Sequence, residues 1–180
     1  MYWKKDICKV LMTEEQIADM VKGIGQQITQ DYAGKELLVV GILKGASVFM
    51  MDLIKYIDLP LSIDFMVVSS YGNMSATSGE IKILRDVTAK MEGRHVLLVE
   101  DIIDSGLTMN KLKDVLKLRN PASLKVASAF DKPSGRRVPM ECDYVGAEVP
   151  NEFVVGYGLD YAEKYRNVPE LCVLKSEIYE

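Results

Sequence analysis

The segment from Val96 to Thr108 constrains the fold of this chain more than any other part of the sequence. It begins with four apolar residues, Val96–Val99, which are typical of a buried strand, and continues through two adjacent carboxylates, Glu100 and Asp101. A short Asp-Ser-Gly-Leu-Thr loop at 104–108 then opens a predicted helix. Because ligands bind outside the carboxyl ends of strands in open parallel sheets, the segment indicates an α/β fold and the position of its site.

The loop at 104–108 has the chemistry of an anion-binding site. A glycine-containing loop at a helix N-terminus presents unpaired backbone N–H groups to an anion, and the hydroxyls of Ser105 and Thr108 can assist them. Two carboxylates beside such a site are understandable if a hard cation such as Mg2+ lies between them and the anion. An acidic residue at a strand end is also often only a helix N-cap, so this reading needs support from the rest of the chain.

Two other kinds of α/β protein place acidic residues at strand ends. A P-loop ATPase would need a Gly-x-x-x-x-Gly-Lys-Ser/Thr run, which this sequence lacks. A receiver-type doubly wound domain does not require the Asp-Ser-Gly-Leu-Thr loop. The order of residues 100–108 is instead similar to the ribose-phosphate motif of type I phosphoribosyltransferases, and the chain resembles that family.

Length and charge restrict the classes of partner. The 180 residues suffice for one domain, 1–180, with a substantial core. A net charge of -4 argues against a nucleic-acid partner and requires any polyphosphate to be held locally, by metal and backbone amides. No apolar segment approaches membrane-spanning length, so we expect no membrane partner. Three cysteines without Cys-x-x-Cys spacing predict reduced thiols in a cytoplasmic protein: Cys8, Cys142 and Cys172.

Strands and helices alternate along the chain through residue 130. Thr13-Glu14-Glu15-Gln16 predicts a capping box at the start of a helix. Apolar runs predict buried strands at 37–43, 63–68 and 124–130, and 81–84 is expected to be the return strand of a hairpin. The alternation predicts a doubly wound, mostly parallel sheet. The N-terminal segment and the irregular C-terminal part are expected to form a small hood over the strand ends.

Two further segments match the pyrophosphate side of the family's site. Alone, Leu43-Lys44-Gly45-Ala46 would indicate a lysine at a strand–helix turn, and 69–72 the tip of a hairpin. In the family, the first is the pyrophosphate loop, where the bond before the lysine can be cis. The resemblance therefore implies that Lys44 and Gly45 bind pyrophosphate. The second segment matches the mobile catalytic loop, in which Ser70 and Tyr71 would close over the pyrophosphate.

The C-terminal part resembles the purine-salvage branch of the family. The resemblance implies that Lys132 donates to the oxygen of a 6-oxopurine, which would exclude adenine, and that Phe153 stacks on the base. The backbone of Val154 would read the base edge. Asp160, on the purine side, matches a second Mg2+ site acting through water, and Arg166 matches a pyrophosphate contact. Arg136 and Arg137 are both candidates for steadying the pyrophosphate side.

The resemblance also implies the reaction. A 6-oxopurine, hypoxanthine or guanine, would be joined to 5-phosphoribosyl-1-pyrophosphate, giving IMP or GMP and pyrophosphate. Glu100 and Asp101 would hold the ribose hydroxyls directly or through Mg2+, with Asp160 as the third acidic residue of the metal site. Asp104 would act as general base at purine N7. The 5′-phosphate would bind to Asp104, Ser105, Gly106, Leu107 and Thr108.

Several alternatives stay open at this stage. A regulator built on the same fold could keep the ribose-phosphate motif, but Ser70, Tyr71, Lys132 and Phe153 together favour the enzyme. A ribose-phosphate synthase would be much longer. The choice among hypoxanthine, guanine and xanthine is open, because backbone and water contribute as many ring contacts as side chains. Apolar surface on the first two helices predicts a homodimer or homotetramer.

Overall fold

A six-stranded sheet forms the centre of the protein in the computed structural model, which describes residues 1–70 and 81–179. In chain order, its strands are β2 (Leu37–Leu43), β3 (Leu61–Ser70), β4 (Ile81–Arg85), β5 (His95–Ile103), β6 (Ser123–Asp131) and β7 (Tyr144–Glu148). The order across the sheet is β4-β3-β2-β5-β6-β7. All neighbours run parallel except β3 and β4, which are antiparallel. The mostly parallel sheet and the return strand after residue 80 are confirmed.

Helices cover both faces of this sheet. The three longer helices are α1 (Glu14–Asp31), α2 (Ala46–Leu53) and α3 (Leu107–Lys117). Leu97 and Val99 of β5 belong to the apolar cluster that contains the buried residues of α1 and α2. Val96 and Leu98 belong to the cluster that contains those of α3. Because successive strand residues point to opposite faces, the four-residue apolar run of β5 serves both layers.

The predicted capping box begins α1. The Thr13 hydroxyl accepts a hydrogen bond from the Gln16 backbone N–H at 3.3 Å, and the Gln16 side chain accepts one from the Thr13 backbone N–H at 2.9 Å. These bonds satisfy donors that a helix start would otherwise leave unpaired. Within the ranges that the structure describes, none of the helices has the length and hydrophobicity to cross a bilayer.

A second, smaller sheet forms the expected hood. Its strands are β1 (Ile7–Met12), β8 (Val154–Val155) and β9 (Leu171–Leu174), all antiparallel in the order β1-β9-β8, and a short helix, α4 (Ser176–Tyr179), follows. The hood therefore combines the two ends of the chain, as predicted. It has an apolar cluster of its own, whose buried members are Trp3, Val155, Tyr165, Val168, Cys172 and Leu174.

Candidate active site

The carboxyl ends of β2, β3 and β5 meet beneath the hood around a cleft of about 490 Å3. Glu100 and Asp101 line it from β5, and Lys44 and Gly45 line it from the turn that follows β2. The loop before α3 contributes Asp104, Ser105, Gly106 and Thr108, and the hood contributes Asp160. The sequence-predicted ribose-phosphate residues thus surround one cavity, with the half-buried Leu107 adjoining it on α3.

Hydrogen bonds attach the loop at 104–108 to the segment that follows β6. The Ser105 carbonyl accepts hydrogen bonds from the backbone N–H groups of Arg137 at 3.0 Å and Val138 at 3.3 Å. The Ser105 hydroxyl accepts from the Leu107 N–H at 3.3 Å. Gly106 adopts a left-handed conformation, with φ of 79°, immediately before α3. The loop is therefore held in shape with the helix N-terminus at the cleft, where it can receive a phosphate.

The adjacent carboxylates of Glu100 and Asp101 stand close together. Burial raises the pKa of Glu100 well above its ordinary value, and the negative charge of Asp101 raises it further. Asp101 also lies against Gly45, where a β-carbon would fall 1.5 Å from Asp101 Oδ2. Because the turn after β2 and this carboxylate touch, a side chain at residue 45 would displace one of them.

This carboxylate pair fits a hard divalent cation. A cation would relieve the repulsion that raises the Glu100 pKa, and carboxylate oxygens are suitable ligands for Mg2+. Among residues 1–70 and 81–179, no group of three acidic, histidine or cysteine side chains is arranged to hold a metal. A Mg2+ ion here would therefore need further ligands from water and substrate, which is its usual coordination in phosphate sites.

The basic residues predicted for pyrophosphate are both paired with acidic residues of the hood. Lys44 follows a cis peptide bond, and its Nζ lies 3.0 Å from Glu163 Oε2. Arg166 Nη2 lies 2.8 Å from Asp160 Oδ1, and Arg166 Nη1 donates to the Gly158 carbonyl at 2.8 Å. Lys44 thus lines the main cleft, whereas Arg166 is turned toward Asp160 and lines a neighbouring cavity.

A second cleft of about 270 Å3 adjoins the first and gathers the residues predicted for the purine. Lys132, Phe153, Val154 and Asp160 all line it. The Lys132 ammonium donates to the Glu152 carbonyl at 2.9 Å, and its backbone N–H donates to the Ile103 carbonyl at 2.9 Å. Asp101, Ile102, Asp104 and Asp160 line both clefts. The two cavities are therefore two parts of one site.

Comparison with known proteins agrees with this arrangement. The family model for the phosphoribosyl transferase domain matches residues 11–162, which is most of the chain. The chain belongs to the phosphoribosyltransferase family. It is 56% identical over 176 residues to the hypoxanthine-guanine phosphoribosyltransferase of Streptococcus thermophilus, and the match covers 98% of each protein. Within the family, it therefore belongs to the hypoxanthine-guanine branch, and it is a pentosyltransferase.

Of two further relatives, one is much longer than this chain and one has nearly the same length. The phosphoribosyltransferase is 55% identical over 174 residues to the bifunctional protein TilS/HprT of Listeria innocua, but it spans only 27% of that longer protein. The crystal structure of a hypoxanthine phosphoribosyltransferase from Staphylococcus aureus superposes with a TM-score of 0.97 at 47% identity, covering 100% of this chain and 98% of that one. The type I fold is thus confirmed.

Sequence reasoning missed two residues that shape the phosphoribosyltransferase site and left the role of a third, Arg136, open. Ile102 and Leu159 form apolar walls of the second cleft, but both read as ordinary buried positions in the sequence. Arg136 pairs with Asp131, and its Nη1 donates to the Asp104 carbonyl at 2.6 Å. Of the two candidate arginines, Arg136 therefore fastens the loop that carries Asp104. No pattern in the sequence indicates this contact, because it joins the segments that follow β5 and β6.

Two predicted residues belong to the segment that is expected to close over pyrophosphate. Tyr71 lies outside the described residues, as does the side chain of Ser70, whose backbone ends β3. Their catalytic role in the phosphoribosyltransferase stays a prediction. His95, in contrast, lies at the opposite end of β5 from the acidic pair, with Nδ1 2.8 Å from the Ser123 hydroxyl. His95 is thus remote from the acidic residues of the site.

Proposed function

We propose that this phosphoribosyltransferase joins a 6-oxopurine, hypoxanthine or guanine, to 5-phosphoribosyl-1-pyrophosphate and releases pyrophosphate, as in purine salvage. The observation that carries the proposal is the pair of adjoining clefts with four lining residues in common. One cleft has the anion-binding loop and the carboxylates, and the other has a lysine and an aromatic ring. The anomeric carbon would lie at their junction, beside Asp104.

The ribose phosphate would bind in the larger cleft. The 5′-phosphate would accept hydrogen bonds from the backbone N–H groups of the loop at 104–108, aided by the hydroxyls of Ser105 and Thr108. Glu100 and Asp101 would hold the ribose hydroxyls. Lys44 and Gly45 would bind the pyrophosphate from the opposite wall. Arg166 would reach pyrophosphate only after leaving Asp160, so its first role is to orient that carboxylate.

The purine would bind between apolar surfaces of the smaller cleft. Phe153 would stack on one face of the ring, with Ile102 and Leu159 supplying the remaining apolar walls. The Lys132 ammonium would donate to the 6-oxo group in place of the Glu152 carbonyl, and the Val154 backbone would pair with the base edge. Adenine would present an amino donor to the ammonium, so it would be rejected.

Asp104 would act on the proton of the purine. It is exposed at the junction of the clefts, and Arg136 fixes its backbone through the Asp104 carbonyl. The bond between the anomeric carbon and pyrophosphate would break before the bond to purine N9 is fully formed. This order leaves an oxocarbenium-like ribosyl group in the transition state. The nearby carboxylates would stabilise its charge, while Asp104 accepts or shares the N7 proton.

Mg2+ is the proposed metal. When bound, it would neutralise charge on the diphosphate and help it to leave. Glu100 and Asp101 are the proposed residues for the ribose-side ion, and Asp160 would hold a second ion through water. The raised pKa of Glu100 beside Asp101 supports a cation at this position.

We also propose a homodimer or homotetramer in the cytoplasm. Met51 of α2 and Tyr56, which follows that helix, are 41% and 38% exposed, and such apolar surface favours contact between copies. The free thiols of Cys8, Cys142 and Cys172 suit a reducing compartment.

Base preference tests the proposal. Purified protein would be incubated with 5-phosphoribosyl-1-pyrophosphate, Mg2+ and each of hypoxanthine, guanine, xanthine and adenine, and nucleotide formation would be followed by chromatography. We expect turnover of at least one 6-oxopurine and none, or far less, of adenine. Turnover of adenine alone, or of no base, would contradict the proposal.

A further inference from the structure

The Phe153 ring is itself covered by two tyrosines of the hood. Tyr179 of α4 stacks on it, with ring centroids 4.7 Å apart and planes inclined by 23°. Tyr161 meets its edge at 5.5 Å and 90°. The lining of the purine cleft includes Phe153 but neither tyrosine, within the part of the chain that the structure describes. Tyr179 therefore lies behind the Phe153 ring, on the side away from the cleft.

The hood fixes Tyr179 in that place. Phe153, Ile178 and Tyr179 all pack against the hood cluster around Trp3 and Leu174. The Leu174 backbone N–H donates to the Phe153 carbonyl at 2.9 Å. The strand β9, which leads into α4, is therefore hydrogen-bonded to the residue on whose ring Tyr179 stacks. At the start of α4, the Lys175 N–H donates to the Asp6 carbonyl at 3.0 Å. The residues that lead into α4 are thus hydrogen-bonded to the segments that precede β1 and β8.

We propose that Tyr179 is a positioning residue for the purine, acting through Phe153. The inference rests on the proposed role of Phe153 as the stacking surface for the base. With Tyr179 in place, the Phe153 ring is held in one orientation before the base arrives. Without it, the phenyl ring could turn into the vacated space, and binding would have to order it again. α4 is in this way part of the base-recognition apparatus, although it does not touch the cleft.

The first test replaces Tyr179 and compares the two substrates. An aromatic pair of this kind contributes enough for Tyr179→Ala to raise the KM for hypoxanthine by about two- to tenfold. The KM for 5-phosphoribosyl-1-pyrophosphate should stay within about twofold, since its groups bind in the other cleft. Tyr179→Phe keeps the stacked ring and should restore the wild-type KM. Equal changes for both substrates, or no change for hypoxanthine, would overturn the inference.

Ile178→Ala is the matched control. Ile178 belongs to the same helix and packs against the same cluster, but the ring stacked on Phe153 is that of Tyr179. This variant should lower the thermal unfolding temperature without raising the KM for hypoxanthine. Trp3 is the single tryptophan and lies in the cluster, so its fluorescence reports whether the hood is intact. Should Tyr179→Ala not fold, Tyr179→Leu keeps apolar contact, lacks the stack and should show the same selective KM effect.

A double-mutant cycle separates this inference from the proposed function. If Phe153→Ala leaves the KM for hypoxanthine unchanged, the stacking role of Phe153 in the proposed function is wrong. If Phe153→Ala raises it and Tyr179→Ala does not, only the inference about Tyr179 is wrong. We expect both single variants to raise the KM, and we expect Tyr179→Ala to add nothing in the Phe153→Ala background, because its effect passes through that ring.

Discussion

The carboxylate of Asp104 lies directly against Gly135, so that a β-carbon at residue 135 would fall 1.5 Å from Asp104 Oδ1. Gly135 closes the short 3-10 turn that follows Lys132, and Asp104 follows β5. The proposed general base and the proposed base-recognition lysine are therefore carried by two segments that touch at a glycine. The geometry of one constrains the geometry of the other.

Gly135→Ala should reduce kcat by about 10²-fold, because the new methyl group must push the Asp104 carboxylate out of position. Steady-state kinetics with hypoxanthine would measure it. Gly23→Ala is the control, since the same change in α1 has open space around the new β-carbon and should leave activity unchanged. Full activity of Gly135→Ala would mean that the position of Asp104 seen here does not matter for catalysis.

Asp104→Asn should lower kcat by about 10²–10⁴-fold with only a modest change in KM. The carboxamide keeps the shape of the side chain and can still form a hydrogen bond at N7, but it cannot accept a proton. Steady-state parameters for both substrates would be compared with wild type. A large rise in KM at unchanged kcat would instead assign Asp104 to binding alone.

Lys132→Ala should weaken binding of 6-oxopurines by about ten- to a hundredfold, as expected for loss of a hydrogen bond from a charged donor. Adenine should gain relative to hypoxanthine. Equilibrium binding of the bases would measure both effects, with Lys111→Ala on the exposed side of α3 as a matched control. Unchanged affinities and preference would make Lys132 a surface lysine without a role in recognition.

Much of this arrangement could be predicted from sequence because its signals are local. The strand, carboxylates and loop at 96–108 follow one another in the chain, and each apolar run became a strand near the expected positions. The sequence of β1 gave no such signal, because its residues do not alternate between apolar and polar. In the structure, Cys8, Lys9 and Val10 are all exposed. Its pairing with β9 depends on the other end of the chain.

Contacts between distant segments could not be predicted. Arg136 reaches the Asp104 carbonyl only because the fold brings the ends of β5 and β6 together. The stack of Tyr179 on Phe153 joins residues that no periodic pattern relates. Motifs thus predicted the groups that we propose to contact substrate, whereas the residues that hold those groups in place became visible only in the structure.

Asp64 should make stability depend on pH. This aspartate is 8% exposed, and it accepts hydrogen bonds from the backbone N–H groups of Phe65, Thr88 and Ala89 and from the Thr88 hydroxyl. Burial alone would raise the pKa of its carboxyl, but these bonds outweigh burial and hold the pKa below its ordinary value. The ionised group therefore contributes stability above the unfolded pKa of about 3.9, and the contribution is lost as pH falls through the folded pKa.

Asp64→Asn should accordingly lower the free energy of unfolding by about 1–3 kcal/mol at neutral pH. The difference from wild type should shrink as the pH falls below about 4, because the wild-type carboxyl then becomes protonated too. Urea unfolding across this range would measure it, with Asp19→Asn, at an exposed position of α1, as control. A difference that does not vary with pH would show that the charge on Asp64 is unimportant.

The most direct test of the account follows both products of the reaction with and without metal. Purified protein, hypoxanthine and 5-phosphoribosyl-1-pyrophosphate would be mixed with Mg2+ or with excess chelator, and IMP and pyrophosphate would be quantified in the same samples. We predict equal amounts of the two products with Mg2+ and loss of both with chelator, restored when Mg2+ is added back. Undiminished turnover after complete metal removal would contradict the metal assignment, and pyrophosphate release without IMP would contradict transfer to the purine.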